Sequence, residues 1–265
     1  MGGAVEALEN GYMKRALVAS NARRIREIED GRRTVVGLNR FGEGEPSPLT
    51  TGFQENFLTV DDAVEGEQIE ALRACRARRD AASAASAIDR LAAAAAAGRD
   101  IMEASIACAE AGVTTGEWGM ALRKIFGEYR APTGVAQAAA QRDGAGLDTV
   151  RASVDAVSTK LGRRIKFLVG KPGLDGHSNG AEQVALRARD VGFDVAYDGI
   201  RQTPAEIVAR ARETAAHVIG LSILSGSHVP LVRDVMARLR QEGLGHIPVV
   251  VGGIIPPDDE NVLRN

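Results

Sequence analysis

Cysteine is nearly missing from this chain of 265 residues: there are two, Cys75 and Cys108. Two thiols are too few for a disulfide framework. Both lie in sequence of helical pattern, where helix packing accounts for them, and the chain reads as cytosolic. No sign of charge dominates, since 33 Lys and Arg face 35 Asp and Glu. That balance gives no footing to nucleic acid or an anionic membrane as a general partner. No apolar run has spanning length, and no secretory signal is present. A Rossmann glycine fingerprint, a phosphate-binding P-loop and zinc-ligand spacings are also absent. What is present suits a globular core: 45% of the residues are hydrophobic, in a length that fits one large or two ordinary domains.

Two regimes follow each other along the chain. Residues 1–31 have helical spacing, with Val5, Leu8, Tyr12 and Met13 on one stripe. Residues 33–41 read as a short strand, and residues 42–52, with Pro46 and Pro48, as a linker. Residues 66–130 are rich in Ala, Arg, Glu and Leu and predict about three helices, one capped near Thr115 and Glu117. The alanine run 92–97 reads as a close-packed helix surface, and residues 131–160 as a mixed connection. From residue 163 the pattern alternates. Strands are expected at about 165–170, 193–198, 217–224 and 247–252. Helices are expected at 180–191, 203–215 and 228–242, the second opening on Thr203-Pro204. The strands are continuous apolar runs, as in a parallel sheet covered on both faces. The fold class is therefore α/β: a doubly wound, flavodoxin-like parallel sheet preceded by a mainly helical linker region.

The chemistry concentrates after the first of those strands, in Lys171-Pro172-Gly173-Leu174-Asp175-Gly176-His177-Ser178-Asn179-Gly180. A loop there sits at the carboxyl end of a parallel strand, where open α/β sheets bind ligands. A lone histidine in a glycine-rich loop is usually a solvated residue. Here an aspartate two residues earlier can orient the ring and fix its tautomer. Two further strand ends carry matching signals: Ser222-Ile223-Leu224 followed by Ser225-Gly226-Ser227-His228, and Gly252-Gly253 before Pro256. His217 and His246 flank strands and are expected to face solvent.

The pattern D-x-H-x-x-G, followed by S-x-L and G-G at successive strand ends, resembles the cobalamin-binding domains of mutase type. That resemblance implies adenosylcobalamin as cofactor and His177 as the metal ligand, in the lower axial position on cobalt. It implies Lys171, Gly173, Leu174, Asp175, Gly176, Gly180, Ser222, Leu224, Gly226, Gly252 and Gly253 as the other cofactor-binding residues. Asp175 would hold the ligand histidine, and Lys171 would keep that carboxylate ionised. Ser222 and Leu224 would touch the buried nucleotide base, and Gly252 and Gly253 would admit its tail. His228 would stand near the corrin rim.

Outside the sheet, Asn10-Gly11-Tyr12-Met13-Lys14, Val35-Val36-Gly37-Leu38-Asn39-Arg40-Phe41 and Glu45-Pro46-Ser47-Pro48 resemble the end of the acyl-CoA-binding barrel of adenosylcobalamin-dependent acyl-CoA mutases, and its exit linker. Within that family the segments 170–183 and 221–228 are most similar to ethylmalonyl-CoA mutases, with methylmalonyl-CoA mutases the near alternative. The implied activity is radical rearrangement between branched and linear dicarboxylic acyl-CoA esters. The implied domains are 1–52, the barrel tail and linker; 53–160, a helical linker region; and 161–265, a cobalamin domain lacking its last strand and helix. On that reading the chain is a carboxyl-terminal fragment. Acyl-CoA would be met only through barrel residues outside it, so it would bind cobalamin without catalysing the reaction alone. A homodimer is compatible with the family, and the bare edge of the fourth strand would favour self-association. Two other classes fit less of the sequence. One is a non-catalytic cobalamin module of methyltransferase or sensor type, with residues 66–130 as its helical bundle. The other is a doubly wound domain without a cofactor.

Overall fold

Apolar patterning of two kinds produces two separate units in the computed structural model, which describes residues 2–44, 61, 63–135 and 147–264. One unit comprises Glu43–Tyr129, and the other Met1–Gly42 together with Arg130–Asn265. No helix of the described residues is long and apolar enough to cross a membrane.

The first unit is helical: α3 (Ala63–Arg78), α4 (Ala81–Ala96), α5 (Met102–Glu110) and α6 (Thr115–Phe126). The expected three helices are four, because Asp80 stops one and starts the next. Its carboxylate accepts from the Ala82 and Ser83 N–H groups, which have no partner inside the helix. Thr114, one residue before the expected position, caps α6 in a reciprocal box with Glu117. Arg79 reaches both Glu117 oxygens at 2.6 Å and so ties the α3–α4 junction to the start of α6. Ala87, Leu91, Cys108 and Ala121 form the core. Ala94 and Ala95 are buried within the alanine run, so small side chains there serve close packing.

The second unit begins with α1 (Ala4–Glu9) and α2 (Tyr12–Glu29), separated by Gly11 in a left-handed conformation. Residues 33–41 are not a strand. Asn39 captures the backbone there: its Oδ1 accepts from Val35 N, and its Nδ2 donates to the carbonyls of Ile28 and Arg33, each at 2.8 Å. These bonds close a turn with a single bridge between Val36 and Arg40. Glu45-Pro46-Ser47-Pro48, most of the 42–52 linker and residues 136–146 of the expected connection lie outside the described residues. The connection expected over 131–160 contains a helix, α7 (Leu147–Leu161), whose Val154 packs with Ile165 and Val191.

The alternating regime follows as expected: β1 (Lys166–Gly170), α8 (Asn179–Asp190), β2 (Asp194–Tyr197), α9 (Pro204–Glu213), β3 (Val218–Ile223), α10 (His228–Gln241), β4 (Val249–Gly253) and α11 (Pro257–Arg264). All pairings are parallel, in the order β2-β1-β3-β4. Thr203 and Glu206 form a capping box with Pro204 in the first turn, which sets where α9 starts. Leu168, Ile219, Leu221 and Ile223 are buried against Ile207, Val235 and Leu239 from the covering helices. Each such side chain contributes about 1.5–3 kcal/mol by leaving water. On another face, Val18 of α2 and Val135 pack with Val169, Ala181, Ala185 and Tyr197. The sheet has its topological switch between β1 and β3, the position at which doubly wound folds bind ligands. β4 is the edge strand among the described residues, and its Val250 is 59% exposed.

Candidate functional site

The backbone leaves β1 at Gly170 and enters the loop through Lys171, which is fully buried. Gln202, itself buried, holds the loop base. Its Oε1 accepts from Lys171 N at 2.9 Å, its own N–H donates to Lys171 O at 3.1 Å, and its carbonyl accepts from Gly173 N at 2.9 Å. Gly173 has φ +84, and a Cβ there would approach Leu231 to 2.9 Å, so glycine is required at this bend.

Asp175 is the hub. Its side chain is only 4% exposed. One oxygen accepts from Lys171 Nζ at 2.5 Å and from the Leu224 backbone N–H at 3.1 Å. The other accepts from His177 N at 3.0 Å and contacts His177 Nδ1 at 2.7 Å. Lys171 Nζ also donates to the Ser222 carbonyl at 3.3 Å. One carboxylate thereby joins the ends of β1 and β3 across the switch point. Burial alone would push the Asp175 carboxyl up. The bonds from Lys171, His177 and Leu224 outweigh it and hold the group well below the usual carboxylate range.

An ionised carboxylate only accepts, so the bonded His177 Nδ1 carries the proton. In the neutral ring the lone pair is then on Nε2. The imidazole side chain is 77% exposed, so a buried, charged relay presents an open donor nitrogen. Leu174, beside it, is 91% exposed. Among the described residues no group of three or more His, Cys, Asp or Glu could hold a metal ion. A single histidine suits a metal whose other positions come with its own cofactor, as the cobalt of a corrin does.

The other expected residues surround this relay. Ser222 pairs with Gly252 in the sheet, and Leu224 follows the end of β3. Gly180, Gly226 and Gly252 have nothing within 4 Å of where a Cβ would stand; Gly176 has only an Arg201 nitrogen, at 3.7 Å. Gly253 differs. Its Cβ would lie 1.7 Å from Ile223 O at φ +143, so strand pairing itself demands that glycine. His217 is not solvent-facing. Its Nδ1 accepts from Lys166 N at 2.8 Å, and its Nε2 is buried without a partner among the described residues. Burial, and then the nearby Arg163 and Lys166 charges, lower its pKa. His228 is buried and bonds Asp259 through Nε2 at 2.8 Å, linking α10 to α11. His246 is exposed, as expected. Gln202 escaped sequence reading because only the folded loop brings it to Lys171.

The depressed Asp175 acidity has a sign. A carboxyl with a lowered folded pKa adds stability above its unfolded value of about 3.9 and loses it as pH falls. Glu117, held low by Arg79 in the helical unit, acts in the same direction. Urea midpoints should therefore fall steadily as pH drops below about 4. Asp175→Asn should flatten that dependence in the sheet unit; an unchanged slope would contradict the charged relay.

Residues 165–264 match the B12 binding domain family model, and residues 1–128 the methylmalonyl-CoA mutase family model. Ethylmalonyl-CoA mutase of Methylorubrum extorquens is 59% identical over the whole chain, which spans 38% of that protein's length. The Cereibacter sphaeroides ethylmalonyl-CoA mutase is 58% identical over the whole chain and 40% of its own length. Methylmalonyl-CoA mutase of the same organism is 35% identical over the whole chain and 37% of its length. The chain thus spans less than half of the relatives it matches. The chain is thus similar to methylmalonyl-CoA mutases over residues 1–128 and to B12 binding domains over residues 165–264, the segment that contains the Lys171–Asp175–His177 relay.

Proposed function

We propose that the loop after β1 binds adenosylcobalamin, with His177 Nε2 as the atom that would ligate its cobalt. The observation that carries this is an exposed imidazole whose proton is fixed on Nδ1 by a buried, lysine-paired carboxylate. Asp175 orients the ring and raises its basicity, as outer carboxylates do for metal-bound histidines. Lys171 keeps Asp175 ionised. Ser222 and Leu224 would meet the nucleotide base, and the open space at Gly180, Gly226 and Gly252 would receive its tail. Gly173, Gly176 and Leu174 form the loop surface under the ring, and Gly253 contributes through its packing on β3. Held there, adenosylcobalamin would supply the radical chemistry of the rearrangement. The residues here hold, orient and tune that cofactor.

Within a whole polypeptide, the activity we infer is rearrangement between ethylmalonyl-CoA and methylsuccinyl-CoA. Identities of 59% and 58% to ethylmalonyl-CoA mutases, against 35% to a methylmalonyl-CoA mutase, favour that substrate. The match of residues 1–128 to the mutase model argues against a non-catalytic sensor module.

An absorbance titration with hydroxocobalamin tests the cofactor reading. Wild type is expected to give the spectrum of a cobalamin whose own base is displaced by histidine. His177→Ala should lose that signature while keeping its fold by circular dichroism. A folded wild type that leaves the spectrum unchanged, or a variant identical to it, overturns the assignment.

A further inference from the structure

We propose that Arg201 is a further cofactor-binding residue, donating hydrogen bonds to the side-chain amide oxygens on the corrin edge that overlies β2. The inference rests on the cobalamin reading of the His177 loop.

Arg201 has φ +60, in the left-handed region that non-glycine residues rarely occupy. Such a conformation costs roughly 1–3 kcal/mol and persists where surrounding structure over-determines it. Here the neighbours do so. Gln202 is bonded through both backbone groups and its side chain to the loop base, and Thr203 immediately begins the capping box of α9. The chain between Gly199 and Gln202 must turn sharply, and Arg201 absorbs the turn although a glycine would do so without strain.

The side chain has no evident structural duty. It is exposed, and among the described residues no carboxylate or carbonyl accepts from it. The nearby acids have other partners: Asp198 pairs with Arg210, and Glu206 with Arg130. One guanidinium nitrogen lies 3.7 Å from where a methyl group on Gly176 would stand, so the group rests beside the residue preceding His177.

Sheet order says which part of the ligand it meets. β2 flanks β1 on one side, while β3 and β4, with Ser222 and Gly252, lie on the other. A flat ring centred over His177 that sends its nucleotide tail toward β3 and β4 turns its opposite edge toward β2. Corrin edges carry acetamide and propionamide groups, whose carbonyls accept hydrogen bonds. Guanidinium offers five donors and no acceptor.

Cobinamide, which keeps the ring amides but lacks the nucleotide tail, separates the two possible acceptors. Wild type, Arg201→Gly and Arg201→Lys would each be titrated with cobalamin and cobinamide, and their urea midpoints measured. Arg201→Gly is expected to bind both ligands about tenfold more weakly. Its stability should stay level or rise, because glycine relieves the positive φ. Arg201→Lys should recover part of the affinity for both. Equal affinity of wild type and Arg201→Gly overturns the assignment. So does a loss confined to cobalamin, which would place the acceptor on the tail phosphate, and so does a loss that merely tracks lost stability. A folded wild type that binds neither ligand overturns the cobalamin reading and this assignment together.

Discussion

Replacing Asp175 by alanine will lower the unfolding free energy of the sheet unit by about 3–5 kcal/mol, the usual cost of removing one partner from a buried ion pair. Lys171 is fully buried, and its ammonium would keep only the Ser222 carbonyl, at 3.3 Å. The Leu224 and His177 N–H groups would lose their acceptor as well. Lys171→Met should cost less, because the remaining carboxylate keeps those two N–H donors. The double variant Lys171→Met/Asp175→Ala should cost less than the two single changes summed, since it removes both charges and the residues share one network. Urea denaturation followed by two probes makes the test local. The only tryptophan, Trp118, packs in the core of the helical unit, so its fluorescence reports there. Circular dichroism reports on both units. A shift in the Trp118 transition equal to that of the sheet, or a total cost below about 1 kcal/mol, would show that the pair is not the buried anchor its geometry indicates.

The sequence made the sheet unit legible because its signals are local. Buried parallel strands need continuous apolar runs, and those at 166–170 and 218–223 fall within the expected boundaries. Thr203-Pro204 announced α9 by chemistry that acts within one turn. The relay was readable for the same reason: Lys171, Asp175 and His177 sit within seven residues of one loop. What escaped depends on side chains that capture distant backbone. Val35-Val36 favours a strand until Asn39 takes three backbone partners and folds the segment into a turn. Gln202 reaches Lys171 across 31 positions, with no local pattern to mark it. His217 looked like a polar strand end, yet it replaces a backbone acceptor for Lys166 and is drawn inward by that bond. The two terminal glycines of β4 looked alike in sequence and are separated only by the neighbour each one faces.

Those two glycines supply the second large effect. Gly253→Ala should destabilise the β3–β4 pairing by at least about 3 kcal/mol, combining overpacking with a backbone conformation alanine resists. Its Cβ would fall 1.7 Å from Ile223 O, and strand backbone has no room to yield. Gly252→Ala should leave stability within about 0.5 kcal/mol of wild type or raise it, since the new methyl group meets no protein atom within 4 Å and alanine restricts the unfolded chain. Cobalamin binding should respond in the opposite order of cause. On the proposed cofactor reading, Gly252→Ala places a methyl group in the space assigned to the nucleotide tail and should weaken cobalamin at least about tenfold while sparing cobinamide, an effect of the size that one steric misfit in a packed site produces. Gly253→Ala should weaken both ligands in proportion to the unfolded fraction it creates. Denaturation midpoints and paired titrations read these outcomes separately. If Gly252→Ala binds cobalamin as wild type does, the tail does not pass β4, and the slot must be sought between β1 and β3 instead. If it discriminates as expected, one of two adjacent glycines is kept for the sheet and the other for the ligand.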